Sequence, residues 1–279
     1  MKHETLAEAG LSYFPCRYGT SRLFFRGPRR PLDGRHVAFV GGTETYGRFV
    51  ETPFPAMVEE MIGVTCVNFG LVNASVDAFL NEPAVGAACH DAEVNVVQIM
   101  GAHNISNRFY TVHQRRNDRF LRASSVLRAI YPEVDFAEFC FTRHMLGVLM
   151  ARSPERFAIL RQELQAAWTA RMVMFLAEIG PRTVLLWFSD NVPSDTTWEE
   201  RPDPLAVEPL FITRAMMDVL RPKVRSVVMV QPSARARAQG TNGMIYGPLH
   251  AAAAANVPSP AAHQEVAVAL RDALRLTFG

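Results

Sequence analysis

Five short apolar runs rich in β-branched residues, each closed by Gly, Asp or Pro, punctuate the sequence at 36–42, 64–70, 94–101, 183–190 and 226–232. They lack the apolar–polar alternation of a strand with one wet face and suit strands buried on both faces of a parallel sheet. Segments of helical period separate them, at 55–62, 77–87, 203–220 and 260–276. This alternation predicts an α/β fold, a three-layer α/β/α sandwich around a five-stranded, mainly parallel sheet of flavodoxin-like type.

The gap between the third and fourth runs is too long for one crossover, so 105–181 reads as a helical insertion. Its strongest element opens at Ser153-Pro154-Glu155, which supplies an N-cap, an N1 proline and a first-turn acid. Phe157, Leu160, Leu164, Trp168, Met172, Phe175 and Ile179 then recur at helical spacing until Gly180-Pro181. That stripe reads as core. Residues 1–35 form an N-terminal extension, and the 279-residue chain is expected to be one domain, with 49% apolar residues to fill its core.

A net charge of +2 gives no electrostatic footprint for nucleic acid. No run approaches the ~18 apolar residues of a membrane span, and the first residues lead into no secretory h-region, so a cytoplasmic location is expected. Cys16, Cys66, Cys89 and Cys140 are too scattered for a zinc site or a redox dithiol, and no metal or cofactor is expected. Only Lys2 and Lys223 are lysines, while arginines gather at Arg17, Arg22, Arg26, Arg29, Arg30 and Arg35 and again at Arg108, Arg115, Arg116, Arg119, Arg122 and Arg128. Either cluster can form an anion-binding rim, although exposed arginines are more often solvated or paired with carboxylates. The expected partner is a small-molecule ligand or substrate; self-association into a homo-oligomer stays open.

In an open α/β sheet, ligands bind beyond the carboxyl ends of the strands. The first strand exits through Gly41-Gly42-Thr43-Glu44-Thr45-Tyr46-Gly47, a glycine-rich turn able to present N–H groups to an anion or oxyanion. It contains neither a dinucleotide-binding GxGxxG nor a P-loop. Gly41, Gly42, Thr43, Thr45 and Gly47 resemble the first block of the SGNH (GDSL-like) hydrolases, Gly-Asp-Ser-x-Thr-x-Gly. Asn68-Phe69-Gly70 is similar to the second block, and Gly101-Ala102-His103-Asn104 to the third, Gly-x-Asn-Asp.

The resemblance covers about 34–276 outside the insertion. It implies a nucleophile position at Thr43 and oxyanion donors from the Thr43 and Gly70 N–H groups. It also implies a side-chain donor at His103 or, with a one-residue shift, Asn104. The fourth block, Asp-x-x-His, departs from the pattern. In the register of Val257-Pro258-Ser259-Pro260, Val257 and Ala254 replace the histidine and aspartate, and an alternative register through Gly247-Pro248-Leu249-His250 restores only His250. His250, His263 and His103 are the candidate bases, and Glu44, Asp77 and Asp190 the substitute acids.

The whole chain also resembles an uncharacterised family of unknown function found mainly in alphaproteobacteria. That likeness rests on Tyr13-Phe14-Pro15-Cys16-Arg17-Tyr18-Gly19, Phe25-Arg26-Gly27-Pro28-Arg29, the Gly41–Gly47 turn, Asn107-Arg108-Phe109-Tyr110 and Arg115-Arg116-Asn117-Asp118-Arg119-Phe120. It implies no activity.

Two functions follow as expectations. One is an SGNH-like ester hydrolase or acyltransferase on a small or carbohydrate substrate, with Thr43 as nucleophile and His250 or His103 as base. The other is a degenerate, non-catalytic pocket holding an anionic or sugar ligand on the same donors. A sulfuryl or phosphoryl transferase has only the arginine and glycine usage in its favour and lacks a diagnostic loop.

Overall fold

Side chains on successive strand residues point to opposite faces, so a strand whose every residue is apolar must be covered twice. The computed structural model, which describes residues 10–195 and 203–278, meets this demand with helices on both faces. The strands are β1 (His36–Gly41), β2 (Thr65–Gly70), β3 (Val94–Gln98), β4 (Tyr110–His113), β5 (Arg116–Ala123), β6 (Thr183–Phe188) and β7 (Ser226–Val230). Five of them form a parallel sheet in the order β2-β1-β3-β6-β7, the doubly wound order of a flavodoxin-like fold. All five expected sheet strands are present.

The helices are α1 (Thr43–Tyr46), α2 (Phe54–Ile62), α3 (Val76–Leu80), α4 (Pro83–Asp91), α5 (Ser125–Ile130) and α6 (Thr142–Arg152). They continue with α7 (Pro154–Ile179), α8 (Arg214–Leu220), α9 (Ala234–Ala238), α10 (Ala251–Ala254) and α11 (Pro260–Phe278). Val37 and Phe39 of β1, Val96 of β3 and Leu186 of β6 pack with α2 and α11 in one apolar layer. The intervening Ala38, Val40, Val97 and Leu185 belong to the larger layer on the other face, which includes α7.

Helix α7 follows the expectation closely. The Ser153 side chain accepts from the Arg156 N–H, Pro154 is the first helical residue, and all seven stripe residues are buried. The rest of the insertion is not purely helical. Strands β4 and β5 form an antiparallel hairpin with bulges, and β5 is polar enough (Arg116-Asn117-Asp118-Arg119) to hide its strand character in the sequence. Residues 77–87 do not make one helix, because α3 ends at Leu80 and Pro83, which cannot continue a preceding helix, starts α4. Residues 203–220 likewise reduce to a short 3₁₀ turn at Pro204–Ala206 and α8, with Pro209 between them and Thr213 capping α8.

The N-terminal extension is part of the core. Phe25 meets Phe69 of the edge strand β2 edge-on at 5.2 Å, and Tyr18 meets the same ring at 5.1 Å. Among the described residues, no helix is long and apolar enough to cross a membrane.

Helix α7 also holds the end of β3, since the buried Trp168 donates its indole N–H to the Met100 carbonyl at 2.9 Å. Trp168→Ala is expected to cost about 3–5 kcal/mol through the cavity and the lost bond. Trp168→Phe, which loses chiefly the hydrogen bond, is expected to cost about 1–3 kcal/mol. Urea unfolding of the two variants checks the ranking.

Candidate functional site

Strands β1, β2 and β3 end side by side, so their turns share one rim. Helix α1 starts at Gly42 with no side-chain cap of its own. The cap comes from the neighbouring strand. Gln98, the last residue of β3, accepts at Oε1 from the Gly42 and Thr45 N–H groups, each at 3.1 Å, and from the Thr45 hydroxyl at 2.5 Å. With Oε1 fixed as acceptor, Nε2 must donate, and it donates to Glu44 Oε2 at 2.6 Å. The fit leaves no room at Gly41, where a Cβ would lie 2.1 Å from Thr45 Oγ1. At Gly70 a Cβ would lie 2.2 Å from the Tyr46 nitrogen.

From the other side, Arg26 of the extension is buried and donates to the carbonyls of Tyr46, Gly47, Val50 and Glu51, the stretch leaving α1. This arginine grips backbone rather than an anionic ligand.

The three turns converge through Asn73, a residue the sequence reading did not single out. Asn73 has a left-handed backbone (φ 57°). Its N–H donates to Thr43 Oγ1 at 2.9 Å, and its Oδ1 accepts from the Thr43 hydroxyl at 3.3 Å. Its Nδ2 donates to Asp118 of the hairpin at 3.1 Å, and its carbonyl accepts from Asn104 Nδ2 at 3.2 Å. Asn104 Oδ1 accepts from the Thr142 hydroxyl at 2.6 Å. Thr43, Asn73, Asn104 and Thr142 thus form one hydrogen-bonded line. Gly70 is close by, but its N–H donates to Asn68 Oδ1 at 2.8 Å, and the peptide N–H facing Thr43 is that of Asn73.

The candidate histidines are engaged with other groups. His250 packs its ring 5.8 Å from that of Phe49. His263 is buried, stacked 5.7 Å from Phe54 and accepting the Phe54 N–H at Nδ1, and burial pushes its pKa down to about 3. His103 is also buried. Its Nε2 lies 3.4 Å from the Arg143 guanidinium, its Nδ1 has no hydrogen-bond partner, and burial and then Arg143 hold its pKa well below the usual imidazole value. Both Thr43 hydroxyl bonds go to Asn73, so none of the three is bonded to Thr43.

Beside Thr43 runs a cleft of about 340 Å³ whose lining includes Glu44, Asp190, Glu208, Arg237 and Asn256, but not Thr43, His103 or His250. Val257 and Ala254, which one of the two registers sets at the histidine and aspartate of the fourth SGNH-like block, respectively line it and lie buried. Arg143 at the start of α6 binds the Leu205 carbonyl and pairs with Glu208. Desolvation nevertheless raises the Glu208 pKa, with Glu44 adding repulsion against the favourable pull of Arg143. Of the other acids, Asp77 is committed to Arg171 at 2.6 Å and the Ser106 N–H at 2.9 Å, and Asp190 stands 4.0 Å from Arg237. No cluster of His, Cys, Asp and Glu suited to a metal ion occurs among the described residues.

Two outcomes follow. Arg26→Ala strands the Tyr46, Val50 and Glu51 carbonyls, the Gly47 carbonyl keeping the Val50 N–H, and is expected to cost at least about 3 kcal/mol, read by urea unfolding. The folded state keeps His263 neutral to about pH 3, whereas an ordinary histidine titrates at 6.5, so the unfolded chain takes up the extra proton between those values. Stability therefore falls as pH falls through that window, by about 1.4 kcal/mol per pH unit for this group, and His263→Asn is expected to flatten the slope by that amount. Unfolding free energies at a series of pH values check this.

Among curated proteins, none matches the chain. Solved structures with a similar chain path include a carbohydrate esterase family 2 enzyme with a carbohydrate-binding domain from Corynascus thermopiles (Myceliophthora fergusii). It is 13% identical at a TM-score of 0.45, covering 92% of this chain and 69% of that one. A lipase/acylhydrolase from Enterococcus faecalis is 11% identical at a TM-score of 0.41, covering 87% and 96%. An acetylxylan esterase from Geobacillus stearothermophilus is 16% identical at 0.40, covering 88% and 94%. A single family model spans the extension, the rim turns and the insertion alike, matching residues 1–278, and the chain belongs to that family, the domain of unknown function DUF6473.

Proposed function

We propose that the protein binds a polyhydroxylated, sugar-like small molecule in the cleft beside Glu44 and does not hydrolyse esters through Thr43. The observation that carries this reading is the closed pair between the Thr43 hydroxyl and Asn73. A threonine nucleophile needs a base to take its proton, and an amide oxygen is not one. The cleft supports a ligand rich in hydroxyls. Glu44, Glu208 and Asp190 offer acceptors, Arg237 and Asn256 offer donors, and three carboxylates against one arginine disfavour an anion.

The second reading, ester hydrolysis or acyl transfer, is favoured by one fact, the place of the Thr43 hydroxyl at the start of α1, beyond the carboxyl end of β1, where ligands of an open α/β sheet bind.

One set of measurements separates the two. Purified protein is screened with short-chain aryl esters and a fluorophosphonate label alongside Thr43→Ala, and by thermal shift with neutral and acidic sugars. The expected result is no Thr43-dependent turnover or labelling, with stabilisation by neutral sugars that weakens about tenfold in Glu44→Ala. Thr43-dependent labelling overturns the binding reading and establishes the second.

A further inference from the structure

A second hollow, of about 310 Å³, lies where the N-terminal extension, the α3–α4 junction and the tip of the β4–β5 hairpin meet. Its volume is at the lower end of the ~300–1,000 Å³ of small-molecule sites. Arg22 lines it from the extension, Arg115 and Gln114 from the hairpin, and Asn81 and Glu82 from the junction. The two arginine clusters of the sequence thus meet at one place.

Five of the other ten arginines of those clusters are occupied as follows. Arg30 pairs with Glu59 at 2.6 Å, Arg35 with Glu93 at 3.3 Å and Arg108 with Glu163 at 3.0 Å, Arg26 grips carbonyls, and Arg17 covers the Phe24 ring. Neither Arg22 nor Arg115 has a carboxylate partner among the described residues, and Glu82, on the same hollow, pairs with neither.

Both arginines stand on braced turns. Beside Arg22, Ser21 Oγ accepts the Leu23 N–H at 3.0 Å, and Ser21 and Leu23 are buried. Below Arg115, the buried Asn117 donates to the His113 and Gln114 carbonyls, each at 3.1 Å, and accepts from the Ser75 N–H at 2.9 Å. Two arginines that line one hollow place like charges on it, and an oxyanion between their guanidiniums offsets that repulsion while accepting charge-assisted hydrogen bonds from both.

We propose that this hollow is a second binding site that takes a phosphate-bearing small molecule. The guanidiniums of Arg22 and Arg115 hold the phosphate, while Asn81, Glu82 and Gln114 face its hydroxyl-bearing remainder. The site shares no residue with the cleft beside Glu44.

Isothermal titration of the full chain at constant ionic strength tests this with inorganic phosphate, glycerol 3-phosphate and glycerol. Saturable one-to-one binding of both phosphates is expected, glycerol 3-phosphate being the tighter, with none for glycerol. Arg22→Gln and Arg115→Gln, at exposed positions, are each expected to weaken phosphate about tenfold. Glu82→Gln, which removes the hollow's carboxylate, is expected to tighten inorganic phosphate. The proposal is overturned by absence of saturable phosphate binding, by binding unchanged in the Arg22→Gln/Arg115→Gln protein, or by phosphate affinity that Glu82→Gln leaves equal or weaker.

Discussion

The rim of this protein depends on one side-chain amide. Gln98, the last residue of β3, caps α1 from the adjacent strand through three donors to Oε1 and orients Glu44 through Nε2. A four-residue helix has no stability of its own, because nucleation fixes several dihedrals for each hydrogen bond gained. The position of Thr43 and Glu44 is therefore set by the end of a neighbouring strand, and Gly41 is required because any side chain there would displace that amide.

The extension and the insertion complete what the sheet begins. Arg26 satisfies carbonyls that leave α1, a task that falls to a long, always-charged donor fork when backbone acceptors are buried away from regular structure. Thr142 and Arg143 at the start of α6 hold Asn104 and Glu208, and Trp168 of α7 holds the Met100 carbonyl next to the third turn. Residues that look peripheral in the chain order are thus structural parts of the rim.

The polar chemistry of the rim follows from that framework. Desolvation lowers the pKa of the buried His103 and His263, while the cleft beside Glu44 is furnished with carboxylates, of which the half-exposed Glu208 pairs with Arg143.

The strands were legible because burial on both faces leaves a continuous apolar run, and α7 because its cap, its N1 proline and its stripe agree. The β4–β5 hairpin was not, since a strand such as β5 that exposes many polar side chains carries little hydrophobic period. The site was legible only as three turns. Local sequence determined that Thr43, the second turn and Asn104 would reach one edge, because parallel strands start and stop together. Which N–H faces Thr43, which residues brace Asn104 and what the candidate histidines bond to instead of Thr43 are decided by contacts between segments far apart in the chain. Asn73 takes the facing position through a left-handed backbone and four hydrogen-bonding groups whose partners, Thr43, Asn104 and Asp118, no local pattern encodes.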